Sequence, residues 1–177
     1  MYEAILAEGE EELRRPTSAL AFSGLAAGLS MGFSFLTQGF LEAGLPAAQW
    51  RGVVAKLGYS VGFVIVILGR QQLFTENTLT PIIPLLKRKQ TRTLLDTLRL
   101  WTTVFLTNWV GTMAVAWALA QPGIIGPEAR PIFAAIGQHS IAHSFGEQLL
   151  KAVFAGWLIA LLGCCRLPKP ADSPSSC

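Results

Sequence analysis

The segment RQQLFTENTLTP, residues 70–81, stands directly behind the apolar run GYSVGFVIVILG at 58–69. It gathers a guanidinium (Arg70), a carboxylate (Glu76), amides (Gln71, Gln72, Asn77) and hydroxyls (Thr75, Thr78, Thr80). That is chemistry for handling ions and hydrogen bonds, attached to a stretch apolar enough for lipid. His139 and His143 lie four residues apart, so a helix would put them on one face. Such a pair can hold a metal or relay protons, or can simply occupy an interfacial or vestibule helix. Cys164, Cys165 and Cys177 have no metal or redox spacing and read as helix-end and tail residues. The chain shows no nucleophile–base pair, no phosphate loop and no metal-ligand cluster, so neither an enzyme nor a resident cofactor or metal is expected.

The elements that must carry these groups are apolar. Of 177 residues, 51% are hydrophobic and 14% charged, against about a quarter charged in soluble domains. Mean hydropathy is +0.46. Five of the eleven acidic residues fall in the first fifteen positions (Glu3, Glu8, Glu10, Glu11, Glu12), which lack a basic leader and read as an acidic, helix-prone tail, 1–15. Charge confined to tails and loops marks an all-α integral membrane protein with no nucleic-acid footprint. The predicted spans are 17–41, 53–86 with an interruption, 98–120, and a weaker fourth from 132 to 163. A tail, 164–177, follows and reads as disordered.

Lys87, Arg88, Lys89, Arg92 and Arg99 cluster between the second and third spans; Arg14 and Arg15 precede the first, and Arg166 and Lys169 follow the fourth. Arg51 and Arg130 alone occupy the opposite side. The positive-inside rule then places both termini in the cytoplasm of a multi-pass protein of the cell (inner) membrane. Gly24, Gly28 and Gly32 repeat every fourth residue and predict close approach of a neighbouring helix. Trp101, Trp109, Trp117 and Trp157 read as packing or interface anchors.

Residues 53–86 would extend roughly 50 Å as one helix, against a hydrocarbon core of about 30 Å. They are too few for two crossings, and Pro81 and Pro84 disturb a continuous helix. A broken helix satisfies these limits: a first half ending near Gly69, a non-helical link, and a second half from about Asn77–Leu79. Irregular backbone at membrane depth must line a cavity or be buried in protein. Arg70, Glu76 and Asn77 should then face protein or water. Arg70 could attract anions, or pair with Glu76 or a helix end; Asn108 in the third span could brace the broken segment. The competing reading makes 71–93 a plain loop outside the membrane.

Four stretches, GLAAGLSMGFSF (24–35), LGYSVGFVIVILGRQQLFTENTLTPIIPLL (57–86), RLWTTVFLTNWVGTMAVAWAL (99–119) and AGWLIAL (155–161), resemble the formate/nitrite transporter family, within it the YfdC-like branch. LFTENT is the specific element. The resemblance implies an aquaporin-like helical fold, homopentameric assembly with one pore per protomer, and small monovalent anions as substrates. It implies that the link is the family's Ω loop, with Leu73, Phe74 and Thr75 as the gate and Tyr59 and Phe63 as apolar constriction positions. Family members carry six spans and a pore-central histidine in the fifth; this sequence ends after the fourth, and its terminal GCCRLPKPADSPSSC reads as cut short. The family's fourth-helix asparagine falls near Gly156. Two functions are therefore expected: an anion channel or transporter gated by the loop, or a non-transporting, half-length subunit that associates with a full-length paralogue.

Overall fold

The computed structural model describes residues 2–78 and 80–165, with side chains from 5 to 159 apart from 79. Leu79, the side chains of Cys164 and Cys165, and the tail with Arg166, Lys169 and Cys177 lie outside the described residues. All eight elements among the described residues are helices: α1 Tyr2–Arg14, α2 Thr17–Gly44, α3 Arg51–Gly58, α4 Ser60–Leu68, α5 Ile82–Arg88, α6 Thr91–Ala120, α7 Arg130–Ile141 and α8 Phe145–Cys165. Among the described residues, three segments are long and apolar enough to cross a membrane: Thr17–Gly44, Arg51–Leu68 and Thr91–Ala120.

The most extensive packing pairs α2 with α6. The glycine stripe explains it. Gly24 lies under Thr107, Gly28 under the Asn108 backbone and Gly32 under Val115, so the two helices run parallel with almost no side-chain spacer. A Cβ on Gly111 would sit 2.8 Å from Leu25 O and 2.9 Å from Gly28 Cα. In lipid, where apolar burial drives little association, such close van der Waals contact is what holds helices together. The α3–α4 helix lies on another face of α2, with Gly58 against Thr37, Gln38 and Leu41 and the Gly62 N–H donating to buried Ser34 Oγ at 3.0 Å. Tyr59 marks a local tightening between α3 and α4; its N–H bonds back to Lys56 O at 3.1 Å.

The second span does break. α4 ends in two characteristic C-terminal bonds, Gln71 N–H to Val66 O (3.0 Å) and Arg70 N–H to Ile67 O (3.2 Å). This pair defines a Schellman cap, whose C′ residue must be left-handed. Arg70 takes that role with φ +47°, a conformation that usually falls to glycine. The link runs farther than the spacing suggests. Helix does not resume at Asn77–Leu79 but at Ile82, with Pro81 as the N-cap residue and its carbonyl accepting from Leu85 N–H. Proline cannot donate within a helix interior but is tolerated at its start, which sets this later boundary.

Two further expectations need correction. The acidic N-terminal segment is a docked helix: Leu6 and Leu13 are buried, and Gly9 lies against Thr80 O and Pro84. Arg88 Nη2 pairs with Glu10 at 2.8 Å, and Arg99 Nη2 donates to Leu13 O at 2.8 Å. The fourth segment, expected as one element from 132 to 163, is two helices. Ser144 accepts from Glu147 N–H at 3.4 Å while Glu147 Oε2 accepts from Ser144 N–H at 3.1 Å, a capping box that starts α8 afresh.

Two substitutions test this account. Gly111→Val should force α2 and α6 apart and cost at least about 2 kcal/mol in reversible unfolding from detergent. Arg70→Gly should relieve the left-handed strain and raise stability by about 1 kcal/mol, read as a higher unfolding midpoint.

Candidate functional site

Breaking a helix at membrane depth releases backbone N–H and C=O groups that lipid cannot satisfy. Asn108, midway along α6, takes up several of them. Its Oδ1 accepts from Phe74 N–H at 2.9 Å, and its Nδ2 donates to Gln72 O at 3.0 Å and Gly24 O at 2.8 Å. One amide thus joins α2, α6 and the link. Gln72 continues the network: its N–H donates to Ser23 Oγ (3.0 Å), its Nε2 donates to Glu12 Oε1 on α1 (2.9 Å), and its Oε1 accepts from Asn77 Nδ2. Trp101 Nε1 donates to Asn77 O at 2.9 Å. Gln72 and Asn77 are both buried.

Apolar contacts complete the anchoring. The Phe74 ring meets Phe105 edge-on with centroids 5.1 Å apart. Phe74 and Trp101 also pack on the core cluster of Leu13, Leu20, Leu100 and Val104.

A cavity of about 880 Å³ opens beside this knot. One end is formed by Leu73, Phe74, Phe105 and Asn108 near Gly28; the other by Glu42, Arg51 and Lys56, with His139 also in the lining. Gly28 and Glu42 both line it, fourteen residues apart on α2, or about 21 Å of helix. The α7 wall is one helical stripe, Ile132, Ala135, Ile136, His139 and Ser140. Beside that stripe, Phe133 fixes α7 to α2: it fits over Gly39 and meets Phe35 and Phe40 edge-on at 5.2 and 5.4 Å.

Of the residues singled out from sequence, Leu73, Phe74, Tyr59 and Asn108 line the cavity together. Thr75, Phe63, Arg70, Glu76 and Asn77 do not. Phe63 stands behind Tyr59, with ring centroids 5.9 Å apart. Thr75 and Arg70 are exposed, and Asn77 is a buried strut of the link. His139 faces the cavity and meets the His143 ring edge-on at 5.3 Å. His143 sits beyond the end of α7 and reaches Glu147 Oε2 at 3.6 Å. Sequence reasoning passed over Gln72, Ser23 and Glu12, whose partners are 49 and 60 residues apart in the chain. It also passed over Lys56 as a cavity residue and used Arg51 only for orientation.

Asn108→Leu should orphan Phe74 N–H and Gln72 O and cost about 2–4 kcal/mol, with faster hydrogen exchange at the amides of Gln72 and Phe74. Asn108→Asp should fare little better. Its carboxylate still accepts from Phe74 N–H but faces two carbonyl oxygens.

Comparison with known proteins agrees with this architecture. The family description "Formate/nitrite transporter" matches residues 1–168. Inner membrane protein YfdC of Escherichia coli (strain K12) is 40% identical over 162 residues, covering 92% of this chain and 52% of that protein. Formate channel BtFdhC of Bacillus thuringiensis is 26% identical over 163 residues, covering 90% and 62%. Formate channel FocA of Haemophilus influenzae (strain ATCC 51907 / DSM 11121 / KW20 / Rd) is 28% identical over 144 residues, covering 78% and 50%. No solved structure matches. The chain spans about half the length of the curated relatives it matches. With its apolar spanning helices, interrupted second span and family match across nearly the whole chain, this all-α, multi-pass membrane protein belongs to the formate/nitrite transporter family.

Proposed function

We propose that the chain forms part of a membrane channel or transporter for small monovalent anions such as formate or nitrite. The observation that carries this reading is a cavity running along α2 to the broken helix, where Leu73 and Phe74 line it. The link backbone is held rigidly by Asn108, while the two side chains it presents to the cavity are apolar. Apolar side chains at a narrowing oppose hydrated ions by dewetting, so a small anion crosses only as they move aside. Leu73 and Phe74 therefore act as the gate, and Tyr59 narrows the approach. Asn108 positions the gate. Thr75, beyond Phe74 on the same loop, offers a hydroxyl on the exposed side of the link. We further propose that both termini face the cytoplasm, as the basic 87–92 segment requires, and that the protomer assembles as a homopentamer.

A second reading has its own support. Among the described residues the cavity is walled by α2, α3, α6, α7 and the link, and they do not enclose it fully. A sealed conduit needs a further wall. A subunit that contributes to a complex with a full-length paralogue, without conducting alone, fits that geometry.

Proteoliposomes of the full chain separate the two. Conduction predicts swelling driven by a formate or nitrite gradient, and a severalfold faster rate for Phe74→Ala, which widens the narrowing. Folded protein giving no anion-dependent swelling would sink the first reading and leave the second.

A further inference from the structure

Arg51 lines the cavity at the end farther from the gate, and its Nε is buried without a hydrogen-bond partner. None of the ion pairs among the described residues includes its guanidinium. Its backbone is committed: the Arg51 N–H donates to Ala48 O at 3.0 Å, which anchors the first turn of α3. A buried donor of this kind normally has an acceptor, and a charged one leaves a larger deficit than a neutral one. Lys56 adds a second cation to the same end, against a single lining carboxylate, Glu42. Gln38 and Ser140 are neutral hydrogen-bonding groups elsewhere in the lining of the same cavity.

We propose that this end of the cavity is an anion-binding subsite, with the Arg51 guanidinium as its principal donor. The ligand class rests on the anion-channel reading above. A single excess positive charge suits a monovalent anion rather than a divalent one. The planar guanidinium suits a flat carboxylate or nitrite, which two of its N–H groups can grip in parallel. Roughly 21 Å of α2 separates this level from Gly28 beside the gate, so the subsite collects anions before the narrowing and is distinct from it.

The test is a titration of 13C-formate against the full chain, read from broadening of the formate signal, in phosphate-free nonionic detergent. Arg51→Gln should weaken formate binding about tenfold, the loss expected for one charge-assisted hydrogen bond. Arg51→Lys should recover part of it. Arg92→Gln removes an exposed cation outside the cavity and should leave binding unchanged. Unaltered affinity in Arg51→Gln overturns the subsite, and so does an equal loss in Arg92→Gln, which would reduce the effect to net charge. If an Arg51-dependent effect emerges only on adding phospholipid, the guanidinium holds lipid phosphate and the proposal fails. Absent swelling with intact Arg51-dependent binding counts against conduction alone. Normal swelling with no Arg51 dependence counts against the subsite alone.

Discussion

A helix that stops inside a bilayer must find a partner for each N–H and C=O it releases, because lipid supplies none. In this protein the backbone groups released by the break converge on Asn108. Its side-chain amide has one acceptor and two donor hydrogens, and all are engaged: one oxygen takes the Phe74 N–H, and the nitrogen serves the carbonyls of Gln72 and Gly24. The site works only because α2 and α6 lie close enough for one short side chain to span them. That closeness comes from Gly24, Gly28 and Gly111, which bring backbone onto backbone. Helix packing and loop geometry are thus one constraint.

The link is fixed from three other directions. At its start, the Schellman cap turns the chain sharply at Arg70. At its end, Pro81 sets the next helix. From outside the spanning helices, α1 reaches it through the Glu12–Gln72 hydrogen bond, with the Arg88–Glu10 pair holding α1 against α5. The backbone of the loop is therefore well restrained. Leu73 and Phe74 meet the cavity with apolar side chains, Phe74 also packing on Phe105 and on the cluster of Leu13, Leu20, Leu100 and Val104.

The far end of the cavity is built differently. Its charge comes from α3 and the end of α2, and its wall from α7, held to α2 by Phe133 over Gly39. α8 stands largely exposed over its described side chains, with Phe145, Leu149, Leu150, Val153, Phe154, Trp157 and Leu158 all turned outward. Membrane proteins direct such side chains at lipid or at neighbouring helices.

The sequence by itself determined the class of the protein, three long apolar segments, the glycine seam and the presence of a break after Gly69. Those features are local: apolar length, small-residue spacing and proline positions follow from the dimensions of a bilayer and a helix. The capping box at Ser144 and Glu147 was also legible in principle, since serine followed three residues later by glutamate signals a new helix start. Only the tertiary structure decided which polar residues meet. Gln72 finds Ser23 and Glu12 across 49 and 60 residues, and α1 turns from a charged tail into a docked helix through Leu6 and Leu13. It also decided that Leu73 and Phe74 face the cavity while Thr75, two positions after Leu73, does not. An irregular turn has no side-chain period, so the facing of its residues is set by the hydrogen bonds that anchor it.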